Sequence, residues 1–220
     1  VQLNIVLTLK QIRLKDYCLI LILYNMIEHE NIDLWFPTSI YRVDNLVGQT
    51  ELDKYKKFIL KFEEKQLSTK DMFVSDIRNS SGVLDILNHK IFKKLKNQIE
   101  NHTTKFASIL KSNHKYKSVG SWYNVYYKNN YQELHKHSDC VFSAVYFISN
   151  PPGSGKTIFF SPIECDVSLR NQSEFNDLNY STCQYFCKPD TLIIFRSSLK
   201  HMVEQCKNEE PRITIASNLS

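Results

Sequence analysis

The sequence predicts an α+β chain, mainly β, with helices first and a β-sandwich or jelly roll after them. Three observations predict it. Apolar residues recur at spacings of three and four between residues 52 and 111. From Lys117 onward, short runs rich in β-branched and aromatic residues alternate with turn residues. The whole is 220 residues, 42% hydrophobic and 23% charged, which suits one compact domain with appended elements and excludes a disordered chain.

Taken in order, Tyr17–Tyr24 is an apolar run of eight residues preceded by Lys10, Arg13 and Lys15. A membrane-spanning helix needs about 20 residues, and no small-residue cleavage site follows as a signal peptide requires. Met26 is therefore taken as the working start, with residues 1–27 a non-core extension. Ile32 to Tyr41 reads as a strand. Leu52 to Gln66 places Leu52, Tyr55, Phe58, Ile59 and Phe62 on one helical face. Asn79 to Gly82 is a turn able to cap a helix or helix pair running from Val83 to Lys111. Strands are expected at Val119–Tyr127, Val141–Ile148, Thr157–Phe160, Cys183–Cys187, Thr191–Phe195, His201–Cys206 and Arg212–Ala216. Asn129-Asn130, Asn150 to Gly153, Lys188 to Asp190 and Asn208 to Pro211 separate them. Residues 28–115 are thus elements that pack on a β core formed by residues 116–220.

Composition removes several functions. Five glycines and six prolines exclude collagen-like and linker-rich chains, and the net charge of +5 is too small and too dispersed for a nucleic-acid footprint. Lys54, Lys56 and Lys57, and Lys90, Lys93, Lys94 and Lys96, fall at helical spacing among apolar residues and read as solvated helix faces. Cys18, Cys140, Cys165, Cys183, Cys187 and Cys206 follow no zinc or CxxC spacing, so they read as reduced thiols of a cytoplasmic protein. Gly153-Ser154-Gly155-Lys156-Thr157 imitates the end of a phosphate-binding loop. That motif also needs a glycine at position 150, where Asn150 stands, and a helix afterwards, where Ile158-Phe159-Phe160 reads as a strand. It is taken as a hairpin turn.

The chemistry concentrates elsewhere. His135-Lys136-His137-Ser138-Asp139 carries three metal-capable side chains at a spacing of two, which a strand would project to one face. His201 begins a later strand. Two histidines and a carboxylate with open positions form the facial arrangement of non-haem Fe(II) oxygenases. Arg212 follows eleven residues after His201, and its planar fork suits a carboxylate; Thr214 shares its face and offers a hydroxyl.

In this order the residues resemble the iron(II)/2-oxoglutarate-dependent oxygenases, and within them a group common in bacteria and phages. The resemblance rests on Leu34 to Tyr41, Trp122-Tyr123-Asn124, His135 and His137, Ser143 to Phe147, Pro152, Gly155, Phe160-Ser161-Pro162, Phe195 to His201 and Arg212 to Ile215. It spans about residues 32–218, the last hundred most specifically. It implies a double-stranded β-helix (jelly roll) with N-terminal buttressing helices. It also implies Fe(II), 2-oxoglutarate and O₂, and oxidative decarboxylation of 2-oxoglutarate coupled to C–H oxidation of a substrate. His137, His201 and Asp139 would be the metal ligands, with His135 the alternative to Asp139, and Arg212 and Thr214 would bind 2-oxoglutarate. Two registers stay open. His137-x-Asp139 is preferred because a carboxylate offsets charge on Fe(II); His135-x-His137 would give a three-histidine site. A cupin-like metalloprotein that does not use 2-oxoglutarate, or a non-catalytic β-sandwich binding protein, are the competing readings. The substrate is not legible; the polar insertion from Glu164 to Ser181 is a lid candidate at the barrel mouth.

Overall fold

The computed structural model describes residues 37–64, 75–163, 173–176 and 178–220. The elements lie within one unit, Thr38–Ser220. The expectations for residues 1–27, for residues 32–36 of the first strand, for Cys18 and Cys165, and for most of the insertion from Glu164 fall outside the described residues.

The first strand, β1, is Ile40–Val43, and helix α1 is Gln49–Glu63. Leu52, Tyr55 and Ile59 are buried along one face, as their spacing requires. Gly48 precedes the helix at φ 92°, a left-handed conformation that favours glycine. The Asp190 carboxylate accepts hydrogen bonds there from Gly48 N at 2.8 Å and Val47 N at 3.0 Å, and from the Tyr146 hydroxyl at 2.7 Å. A short strand, β2, is Arg78–Asn79, followed by the expected turn with Gly82 at φ 73°. The second helix, α2, is Lys93–Ile109, ten residues later than the predicted start. Two 3₁₀ turns, Ile86–Asn88 and Lys90–Phe92, occupy the interval, because His89 takes an extended conformation between them and interrupts the helical ladder.

The β region is β3 Ser118–Tyr126, β4 Gln132–His135, β5 Phe142–Ser149, β6 Thr157–Phe160, β7 Thr182–Tyr185, β8 Arg196-ending Thr191–Arg196, β9 His201–Val203 and β10 Arg212–Leu219. All seven strands expected from sequence are present, Thr157–Phe160 with the expected ends and the others shifted by a few residues; β9 is shorter and β10 longer than expected. The strands form a six-stranded sheet, β1-β8-β5-β10-β3-β2, and a four-stranded sheet, β4-β9-β6-β7, with every pairing antiparallel.

Alternation along β3 and β10 gives the large sheet two distinct faces. Tyr123, Val125, Ile213 and Ile215 join Leu52, Tyr55, Ile59, Leu95, Ile99 and Phe106 of the helices in one apolar cluster. On the other face Phe147, Ile193 and Phe195 pack with Phe159 of the small sheet. Trp122, Asn124, Tyr126, Arg212, Thr214 and Ala216 point the same way and line a cavity together with residues of the small sheet. Strands β1 and β2, both upstream of residue 116, are the edges of the large sheet. The four described cysteines carry free thiols, and no helix among the described residues is long and apolar enough to cross a membrane.

Candidate metal and co-substrate site

His135 ends β4 and stands directly opposite His201, the first residue of β9. His137 lies past the end of β4; its N–H reaches the Ser197 carbonyl at 3.0 Å. The three imidazoles converge, with ring centroids 4.2 Å apart for His135–His201, 5.3 Å for His137–His201 and 5.5 Å for His135–His137. One ligating atom from each lies within 4.8 Å of the others.

Asp139 is not part of this group. The expectation of a continuous strand through His135, His137 and Asp139 does not hold, because β4 stops at His135 and the side chains beyond it no longer alternate. At Asp139 the backbone turns into the left-handed region, φ 59°, and the residue is exposed. The geometry therefore assembles the His135-x-His137 register, not the preferred His137-x-Asp139 one.

Each imidazole has its Nδ1 against an oxygen that can only accept: the Glu133 carbonyl for His135 at 2.7 Å, the Asn218 side-chain oxygen for His137 at 2.6 Å, and the Leu199 carbonyl for His201 at 2.9 Å. The proton must therefore sit on Nδ1, which leaves each Nε2 lone pair free. Burial pushes the His135 and His137 pKa values below the usual imidazole range. Burial first, and the neighbouring His135 second, push His201 down to about 3. Neutral imidazoles with one free nitrogen each are the donors a divalent transition metal takes. Phe159 and Phe195 flank His201, and Trp122 stacks on His137 with centroids 5.6 Å apart.

Arg212 lies across the same cavity and is only 1% exposed. Its Nη1 donates to the Gly155 carbonyl at 3.1 Å and its Nη2 to Thr157 Oγ1 at 2.7 Å, while Nε has no partner among the described residues. The guanidinium sits over Tyr126 at 5.0 Å and Phe147 at 5.4 Å. Burial lowers its pKa, and among the described residues none of its hydrogen bonds goes to a carboxylate. A buried cation held only by neutral groups is costly unless an anion completes it. Thr214 is buried on the same strand face, opposite Asn124, whose side-chain oxygen is also buried without a partner among the described residues.

The structure thus brings together His135, His137, His201, Arg212 and Thr214, and leaves Asp139 outside. Sequence reasoning passed over Asn218, Gly155, Thr157 and Tyr126. Asn218 carried a signal, since it continues the period-two face of Arg212, Thr214 and Ala216. Gly155 and Thr157 lie in the hairpin that imitates a phosphate loop; the turn serves instead to present a carbonyl and a hydroxyl to Arg212.

Residues 120–218 match the family described as "Putative 2OG-Fe(II) oxygenase". Over those residues the chain is similar to the 2OG-Fe(II) oxygenases. The match covers the strands that carry every residue of the cavity named above, and the protein is accordingly an oxidoreductase. Solved structures of similar fold include HygX from Streptomyces hygroscopicus with nickel, 2-oxoglutarate and hygromycin B bound, 13% identical, 83% of each chain covered, TM-score 0.59. The epimerase SnoN from nogalamycin biosynthesis, in complex with Fe3+, alpha ketoglutarate and nogalamycin RO, is 10% identical, with 83% of this chain and 78% of that one covered and a TM-score of 0.62. The 2OG complex of the viral collagen prolyl hydroxylase from Paramecium Bursaria Chlorella virus-1 is 15% identical, with 82% and 94% covered and a TM-score of 0.52. At these identities the likeness is one of fold. No curated protein matches.

Proposed function

We propose that this oxygenase binds Fe(II) through His135, His137 and His201, binds 2-oxoglutarate through Arg212 and Thr214, and couples decarboxylation of 2-oxoglutarate to C–H oxidation of an organic substrate. In this reading the two sheets are the walls of a double-stranded β-helix, residues 116–220 are its catalytic core, and residues 28–115 buttress it. One observation carries the reading: a buried guanidinium without an acidic hydrogen-bond partner among the described residues shares a cavity with three neutral imidazoles.

The donor set fits the metal, because each imidazole is held with Nδ1 protonated and Nε2 free. Fe(II) bound there supplies the open positions at which 2-oxoglutarate and O₂ meet. The chain's own part is to bind, orient and exclude. Arg212 offers Nε and its fork to the far carboxylate of 2-oxoglutarate, and Thr214 adds a hydroxyl. With three neutral ligands the protein would offset none of the metal's charge, so one carboxylate of 2-oxoglutarate would face the metal while the other pairs with Arg212. Phe159, Phe195 and Trp122 keep water from the metal's flanks.

The test is anaerobic addition of Fe(II) and then 2-oxoglutarate. A visible charge-transfer band that needs both is expected for the wild type and is absent from His201→Ala. A cupin-like protein would bind the metal without the band, and a binding module would take up no metal.

A further inference from the structure

The three histidines are not held alike. His135 and His201 use main-chain carbonyls two residues upstream, Glu133 in β4 and Leu199 in the turn before β9. His137 lies beyond the end of β4 and depends on a side chain from β10, Asn218, with Nδ1 and Oδ1 2.6 Å apart. The amide is itself oriented. Cys140 Sγ donates to Ser197 Oγ at 3.1 Å, the Ser197 and Ser143 hydroxyls are 2.8 Å apart, and Ser143 Oγ donates to Asn218 Oδ1 at 3.4 Å. Donors therefore run in one direction along Cys140, Ser197 and Ser143, and end on the amide oxygen. That oxygen, not the amide nitrogen, faces His137. Ser197 contributes a second time, since its carbonyl takes the His137 main-chain N–H.

In this register His137 stands where the His-x-Asp pattern has its carboxylate. A carboxylate has no tautomer to choose; an imidazole does. We infer that Asn218 is a positioning residue that holds His137 as its Nδ1–H tautomer and so keeps Nε2 available to the metal. The inference rests on the three-histidine reading above. Hydrogen-bond partners of metal-bound histidines act this way, and losing one weakens metal binding about 10- to 100-fold.

The test compares Asn218→Leu, which keeps the bulk but removes the acceptor, with Asn218→Asp, which keeps an acceptor. The imidazole tautomers are read by ¹⁵N NMR on metal-free protein, and Fe(II) affinity is measured anaerobically with circular dichroism as a check on folding. Asn218→Leu should lose the pure Nδ1–H signature at His137 and bind Fe(II) about 10- to 100-fold more weakly. Asn218→Asp should keep the signature and bind at least as tightly as wild type. A Leu variant with unchanged tautomer and affinity overturns the inference. So does an Asp variant as weak as the Leu one. Should Asn218→Leu not fold, Asn218→Asp decides alone, and loss of its Nδ1–H signature or of iron affinity overturns the inference. His201→Ala is measured alongside. If it binds iron like wild type, the three-histidine reading falls and this inference with it; if it loses iron while Asn218→Leu does not, only this inference falls.

Discussion

Arg212 and Asp139 mark the two ends of what a single residue reveals at this site. Arg212 is buried to 1% exposure with Nε unpartnered among the described residues, so its removal should act on the co-substrate and not on the metal. In the proposed site, Arg212→Ala should raise the Michaelis constant for 2-oxoglutarate and spare iron binding. Losing a buried charge pair costs on the order of 2–5 kcal/mol, about thirty- to several-thousand-fold. Arg212→Lys should recover part of this, because an ammonium cannot form two parallel hydrogen bonds. A 2-oxoglutarate titration of uncoupled succinate formation at fixed iron occupancy checks both. Asp139 is the reverse case, a residue the sequence favoured and the backbone turned away. His135→Ala should therefore lose iron while Asp139→Ala keeps it, as elemental analysis of the purified variants would read. Iron loss from Asp139→Ala alone would restore the carboxylate register.

At the scale of elements, the hairpin entering β6 joins stability to the site. A Cβ built on Gly155 would lie 1.8 Å from the Glu204 carbonyl oxygen, so the two backbones are in contact and only glycine fits. The same residue's carbonyl holds Arg212. Gly155→Ala should cost about 3 kcal/mol or more, a fall of roughly 6–12 °C in melting temperature, and should weaken 2-oxoglutarate binding as Arg212 loses its support. A calorimetric melting temperature near wild type would remove the contact from the argument. The entry to α1 depends likewise on a distant loop, since Asp190 accepts from Val47 N, Gly48 N and the Tyr146 hydroxyl. Asp190→Ala leaves three donors without that acceptor. It should destabilise by about 2–4 kcal/mol, measurable by urea denaturation, with no direct effect on iron affinity.

For the molecule as a whole, the site is built where two sheets meet, so its ligands should fasten them together. A ligand at a hundred times its dissociation constant adds about 2.7 kcal/mol, roughly 5–11 °C for a chain of this length. Fe(II) alone and Fe(II) with 2-oxoglutarate should raise the melting temperature in two separable steps. Arg212→Ala should lose the second step and keep the first; a chelator should reverse both.

The sequence by itself determined the class of elements and pointed to several of the residues that line one cavity. Helical spacing at Leu52, Tyr55 and Ile59, and the β-branched and aromatic runs that become β3 and β10, are local properties that survive in the fold because burial rewards what the backbone already favours. His135, His137, His201, Arg212 and Thr214 could be picked out by residue type and order alone, and all five line one cavity. Which of them share a cavity was not legible. That depends on where β4 stops, on the register that sets His135 opposite His201, and on a hydrogen bond from His137 to Asn218 across 81 residues. A local pattern can put three side chains on one face only while the strand continues. The end of a strand is fixed by pairing partners far away in the chain, and here that end excludes Asp139 and admits His135.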